Sequence, residues 1–129
     1  MSNTAKRIAI FAILFFVVFF TCKRIYSSQI TVPENRQNTV AIQKKQSIIF
    51  FYRNDCEYCK KVYPLVKIAS TFKLPVQFVN TKNNINRTMA ITRYKIKAVP
   101  TFIYIDKNGN EKTRYTGSDF KEIKKLFNK

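Results

Sequence analysis

The chain has 129 residues, 46% of them apolar, which is enough for one packed domain and too many for a disordered chain. It has no histidine and 3 cysteines, which removes His-dependent triads and relays and leaves too few thiols for a disulfide-built scaffold. The 24 Lys+Arg against 7 Asp+Glu give a net charge of +17 that is spread along the chain. Without helix-turn-helix or zinc-finger spacing, it reads as a solvated basic surface suited to an anionic membrane or cell wall, and no nucleic-acid partner is expected.

Residues 8–20, IAIFAILFFVVFF, are an unbroken apolar run, with Lys6 and Arg7 before it and Lys23 and Arg24 after it. The uncharged stretch 8–22 would span ~22 Å as a helix, short of the ~30 Å of a bilayer core. Basic side chains at both ends snorkel and lengthen the span. No small-x-small site follows the run, so an uncleaved single-pass anchor over 1–26 is expected, with a cleaved signal peptide as the alternative. A buried core helix is disfavoured, because the run has no polar face. The flanking charges balance; an export-type N-terminal position then implies that the domain at 27–129 lies outside the cytoplasm. Cys22 closes the run as an interfacial thiol, since Phe20 and Thr21 are poor neighbours for lipidation.

After the anchor come a short alternating piece at 30–32, a turn at Pro33 and a weak helical stretch at 35–45. Residues 47–53, SIIFFYR, are too apolar for a half-exposed strand and predict a central strand buried on both faces. A helix is expected over 56–72, with Cys59, Val62, Val66, Ala69 and Phe72 on one face and Pro64 inside it. Residues 76–80 predict a second strand, and 83–94 a helix facing inward through Ile85, Met89 and Thr92. Residues 101–106 predict a third strand, Asn108-Gly109 a hairpin turn, and 111–116 the return strand. Gly117 ends it, and Ser118 or Asp119 caps a last helix with Phe120, Ile123 and Phe127 inward. This order predicts an α/β sandwich, a central mixed sheet flanked by helices.

Cys56-Glu57-Tyr58-Cys59 falls between the buried strand and its helix. A helix N-terminus offers unpaired N–H groups and the positive end of the dipole, both of which favour a thiolate. One helical turn brings the two sulfurs into disulfide range, with Cys56 at the tip to attack and Cys59 inward to resolve. Two competing readings are half of a zinc site, which needs a second chain to supply four ligands, and a pair of structural thiols. Lys60, Lys61 and the dipole favour thiolate at Cys56, whereas Asp55 and Glu57 oppose it.

Taken together, SIIFFYR, CEYC, Pro64, Val99-Pro100-Thr101, Lys107-Asn108-Gly109 and Gly117 resemble the thioredoxin superfamily over residues 47–127. The resemblance implies a thioredoxin-like sandwich in which Pro100 is cis beside the active cysteines and Val99 pairs through its backbone with a substrate. It implies Cys56 and Cys59 as catalytic thiols, with Tyr58, Val99 and Pro100 as substrate contacts. It also implies protein dithiol or disulfide substrates, a redox partner protein, and neither organic cofactor nor metal. The chain is expected to be a monomer. An anchored form also resembles the bacteriocin-accessory branch of Gram-positive bacteria. Two departures stand out. The family carries a buried Asp in the strand before the motif and a Lys in the next strand, where this chain has Phe50 and Phe78. Either charge alone would be costly to bury. A water, or Glu57 at the rim, is left to move the Cys59 proton. The functional expectation is a membrane-tethered protein thiol–disulfide oxidoreductase. The alternative is a non-enzymatic thioredoxin-like binding or accessory module for an exported peptide or protein.

Overall fold

A computed structural model describes residues 2–26 and 38–129, and the chain divides into the units Met1–Thr31 and Val32–Lys129. In the first unit, α1 (Asn3–Ile25) is a helix of 23 residues. At 1.5 Å per residue it is ~35 Å long. It is therefore longer than its apolar run, because Lys6, Arg7, Lys23 and Arg24 are themselves helical. By length and composition it is able to cross a membrane. Ser2 caps it by accepting the Ala5 N–H at 3.3 Å, and the Thr21 hydroxyl bonds back to the Val17 and Val18 carbonyls, each at 2.9 Å. The expected features at 30–33, and the start of the stretch at 35–45, lie outside the described residues.

In the second unit the elements are β1 (Ser47–Tyr52), α2 (Glu57–Phe72), β2 (Val76–Asn80), α3 (Asn84–Thr92), β3 (Thr101–Ile105), β4 (Glu111–Thr116) and α4 (Phe120–Phe127). The strands form one sheet in the order β2-β1-β3-β4. β1 is parallel to β2 and antiparallel to β3, and β4 returns antiparallel to β3. All six residues of β1 are buried, which explains its continuous apolar run. Ile48, Phe50 and Tyr52 pack with α2 and α4 on one face of the sheet. Ile49 and Phe51 pack with α3 on the other. The register sets Phe50 beside both Phe78 and Phe102.

Four local expectations are corrected. Residues 38–45 contain no helix. Val40 and Ile42, two apart, turn onto the core, and the side chains of neighbouring elements take the main-chain groups. Asn86 Oδ1 accepts the Val40 N–H at 3.0 Å, and Gln77 Oε1 accepts the Gln43 N–H at 2.7 Å. The same segment decides the inner face of α3. Buried Asn86 also donates to the Asn38 and Asn80 carbonyls, at 2.8 and 3.1 Å, so Asn86 and Ala90 face inward while Ile85 and Thr92 are exposed. Phe72, on the last turn of α2, is 81% exposed. In α4 the cap is Asp119, whose carboxylate accepts the Lys121 and Glu122 N–H groups at 2.7 and 3.3 Å. Phe120, at the first helical position, is exposed, while Ile123, Leu126 and Phe127 are buried.

The hairpin forms as expected. Gly109 sits at φ +82°, and a Cβ there would lie 2.8 Å from Lys44 Cβ. Because Asp119 satisfies two otherwise unpaired donors, Asp119→Ala is expected to lower the unfolding free energy by about 1 kcal/mol. Urea denaturation checks this; an unchanged midpoint would mean that the cap is energetically idle.

Candidate active site

β1 ends at Tyr52, and the chain turns through Arg53, Asn54 and Asp55 into α2. The turn closes with the Cys56 N–H on the Arg53 carbonyl at 3.3 Å. Cys56 is the N-cap of α2, and its Sγ accepts the Cys59 N–H at 3.3 Å. One of the free donors at the helix start is thus directed at sulfur.

The two thiols are unlike. Cys56 is half-buried, whereas Cys59 has 0% exposure and packs into the core with Phe50, Val62 and Tyr63. Burial pushes the Cys59 thiol far above its ordinary range, and its hydrogen bond with Cys56 adds to the rise; the Arg53 backbone opposes it. Cys59 therefore stays protonated in the dithiol form.

Facing Cys56 is the segment before β3, where the Val99–Pro100 peptide bond is cis. The Val99 carbonyl lies 3.9 Å from Cys56 Sγ, which donates its S–H to it. The segment is braced from several sides. The Ile96 N–H bonds to the Ala90 carbonyl at 3.0 Å, and the Gly117 N–H to the Pro100 carbonyl at 3.0 Å. Thr101 Oγ1 donates to the Ala98 carbonyl at 2.7 Å and shares a hydrogen bond with Thr116 Oγ1 at 2.8 Å.

Both carboxylates flanking Cys56 are paired. Arg53 grips Asp55 through Nε and Nη2, each at 2.9 Å, with Lys82 at 3.8 Å. The Arg53 hydrogen bond holds the Asp55 carboxyl below its usual range. Glu57 binds Lys60 at 2.9 Å, and its side chain is 83% exposed. It is thus a solvent-side ion pair at the rim. Behind Cys59, Phe50 and Phe78 meet edge to face at 5.9 Å, and Phe50 stacks on Phe102 at 4.6 Å. No charged group is needed in that apolar contact.

The fold brings Cys56, Cys59, Val99 and Pro100 together, while Tyr58, on the first turn of α2, stands 66% exposed beside them. The Arg53–Asp55 clamp and the Ala98–Thr101–Thr116 brace were not read from the sequence. Only the i, i+2 spacing of Arg53 and Asp55 signals the first, and the second depends on strand pairing.

A two-thiol helix cap set at the end of a buried strand, against a cis-proline segment, defines a dithiol protein of the mixed-sheet α/β class. The thioredoxin family model matches residues 27–129, and the chain belongs to the thioredoxin family. It is 24% identical over 122 residues to the thioredoxin-like protein HCF164, chloroplastic, of rice (Oryza sativa subsp. japonica), covering 89% of this chain and 47% of that one. The chain thus spans less than half the length of that relative. Its structure is similar to thioredoxin O2 of Arabidopsis thaliana, with a TM-score of 0.59 at 22% identity, over 66% of this chain and 74% of that one. Thioredoxin f2 of Chlamydomonas reinhardtii gives a TM-score of 0.58 at 26% identity, over 67% and 81%. These matches carry the family and not the narrower bacteriocin-accessory branch.

The raised Cys59 pKa has a consequence for stability. The folded chain keeps this thiol neutral, whereas the unfolded chain ionises it near about pH 8.5. Its contribution is therefore complete below that pH and is lost as pH rises above it. Urea midpoints of the reduced protein are expected to fall more steeply between about pH 8 and 10 than those of reduced Cys59→Ala. Parallel profiles would contradict a sealed thiol.

Proposed function

We propose that the chain is a membrane-tethered protein thiol–disulfide oxidoreductase, with residues 1–26 as the anchor and 27–129 as the catalytic domain. One observation carries the reading: an accessible helix-cap thiol, Cys56, accepts the main-chain N–H of Cys59, whose own thiol is sealed in the core one turn further on. The length and apolar composition of α1 support the tether. On this reading the domain lies outside the cytoplasm and acts as a monomer on exported proteins.

In the reducing direction, Cys56 as thiolate attacks one sulfur of a substrate disulfide. A Cys56–substrate bond forms, the substrate S–S bond breaks, and the departing sulfur takes up a proton. Cys59 then gives up its proton and attacks Cys56 Sγ, releasing the second substrate thiol. Two electrons pass to the substrate and leave a Cys56–Cys59 disulfide, which a partner dithiol reduces again. The reverse sequence oxidises a substrate dithiol. No organic cofactor is required, since the electrons come from thiols. The Val99 carbonyl beside Cys56 supports Val99 and Pro100 as the platform for the substrate main chain. The exposure of Tyr58 supports it as a flanking contact.

Cys59→Ser is expected to accumulate mixed disulfides through Cys56, because attack succeeds and release fails. Cys56→Ser is expected to accumulate few or none. Non-reducing electrophoresis of membrane and soluble fractions reads both variants, with the trapped species sedimenting with membranes and resisting carbonate extraction. Equal trapping by the two variants would reverse the assigned roles, and trapped species in the soluble fraction would contradict the tether.

A further inference from the structure

A groove of about 190 Å³ opens on the α3 side of Val99. Ala90 and Ile91 form an apolar wall, and Arg53, Arg87 and Lys97 bring three cations to it. Arg53 is already committed to Asp55. Arg87 and Lys97 are exposed and form no ion pair among the described residues.

Among the described residues no acid meets them. No Asp or Glu occurs between Glu57 and Asp106. Each described carboxylate is already engaged: Asp55 with Arg53, Glu57 with Lys60, Asp106 with Lys112, Glu111 with Arg114 and Glu122 with Lys125. Asp119 caps α4. Two carbonyls near the C-terminal end of α3 are occupied, with Met89 bonded to the Arg93 N–H and Ala90 to the Ile96 N–H, each at 3.0 Å.

We propose that this groove is a carboxylate subsite, which selects protein substrates carrying an Asp or Glu close in sequence to the cysteine presented to Cys56. The inference rests on the oxidoreductase reading and deepens it. Val99 links the two places, since its carbonyl faces Cys56 Sγ while the residue also lines the groove. A substrate segment crossing Val99 sets its sulfur on one side and a neighbouring side chain on the other. The apolar wall takes the methylenes of a Glu, and Arg87 and Lys97 take its carboxylate. A basic residue at the same place meets like charge and is disfavoured.

The test uses two peptide disulfides that are identical except for Glu or Gln beside the reactive cysteine, and a third peptide with Glu and with Ser in place of that cysteine. At low ionic strength the reduced full-length protein in detergent is expected to exchange with the Glu peptide about three- to tenfold faster than with the Gln peptide. The ratio is expected to fall toward one in Arg87→Gln/Lys97→Gln and in about 0.5 M salt. It is expected to invert in Arg87→Glu/Lys97→Glu when a Lys peptide replaces the Gln peptide. The Ser peptide is expected to shift the amide resonances of Ala90, Ile91 and Lys97. A ratio of one in the wild-type protein, or a ratio that survives both the double substitution and salt, overturns the subsite. Failure to exchange with either disulfide, while the Ser peptide still shifts those resonances, overturns the redox reading and upholds the subsite.

Discussion

Phe50 touches the rings of Tyr52, Tyr63, Phe78 and Phe102, with centroids 4.6 to 6.2 Å away, and so ties three strands and α2 into one apolar contact. The strand that carries it is buried on both faces, so it tolerates no unpaired charge, and its end fixes where α2 begins. Cys56 is then the helix cap, and Cys59, one turn on, falls against the same aromatic contact. The unlike chemistry of the two thiols follows from that placement. Burial raises the Cys59 pKa and its hydrogen bond with Cys56 adds to the effect, while the helix start directs a main-chain donor at Cys56. With Phe50 and Phe78 in register, the cluster places aromatic rings and no buried carboxylate behind Cys59.

Charge is handled in the opposite way at the rim. A chain with 7 acids against 24 bases spends its described carboxylates on local pairs and one helix cap. Asp55 and Glu57, which flank Cys56, are matched within their own turn. The excess cations therefore stay on the surface, and those beside Val99 meet no acid from the described part of the chain. Exposed pairs of this kind add little to stability, about 0–1 kcal/mol each, so their larger consequence is for which partner approaches the thiols.

Much of this is legible in the amino-acid sequence alone. An unbroken run of β-branched and aromatic residues marked β1, Asn108-Gly109 marked the hairpin, and the interval between the cysteines marked the helix start. Those signals are local, and each depends on the chain's own period or turn chemistry. What sequence missed is tertiary. Residues 38–45 are not helical, and Asn86 and Gln77, distant in sequence, bond to their backbone. Asn86 is polar, so hydrophobic periodicity missed it; of Ile85, Met89 and Thr92 only Met89 packs against the core. In α4, Phe120 shares the helical face of Ile123 and Phe127 but sits at the first helical position after the Asp119 cap, where it is exposed. The Glu57 ion pair was likewise invisible as a geometric fact, although its i, i+3 spacing to Lys60 is a helix-surface pattern.

The central claim is that Cys56 and Cys59 form one two-electron couple. A glutathione redox titration of the full-length chain, quenched with an alkylating reagent and mapped by peptide mass, tests it most directly. The account predicts a single transition in which both cysteines become protected together as an intramolecular disulfide, while Cys22 remains outside that transition. After reduction, Cys56 should be the first of the pair to alkylate. Protection of Cys56 alone as a glutathione adduct, with Cys59 remaining a thiol across the whole titration, would contradict it.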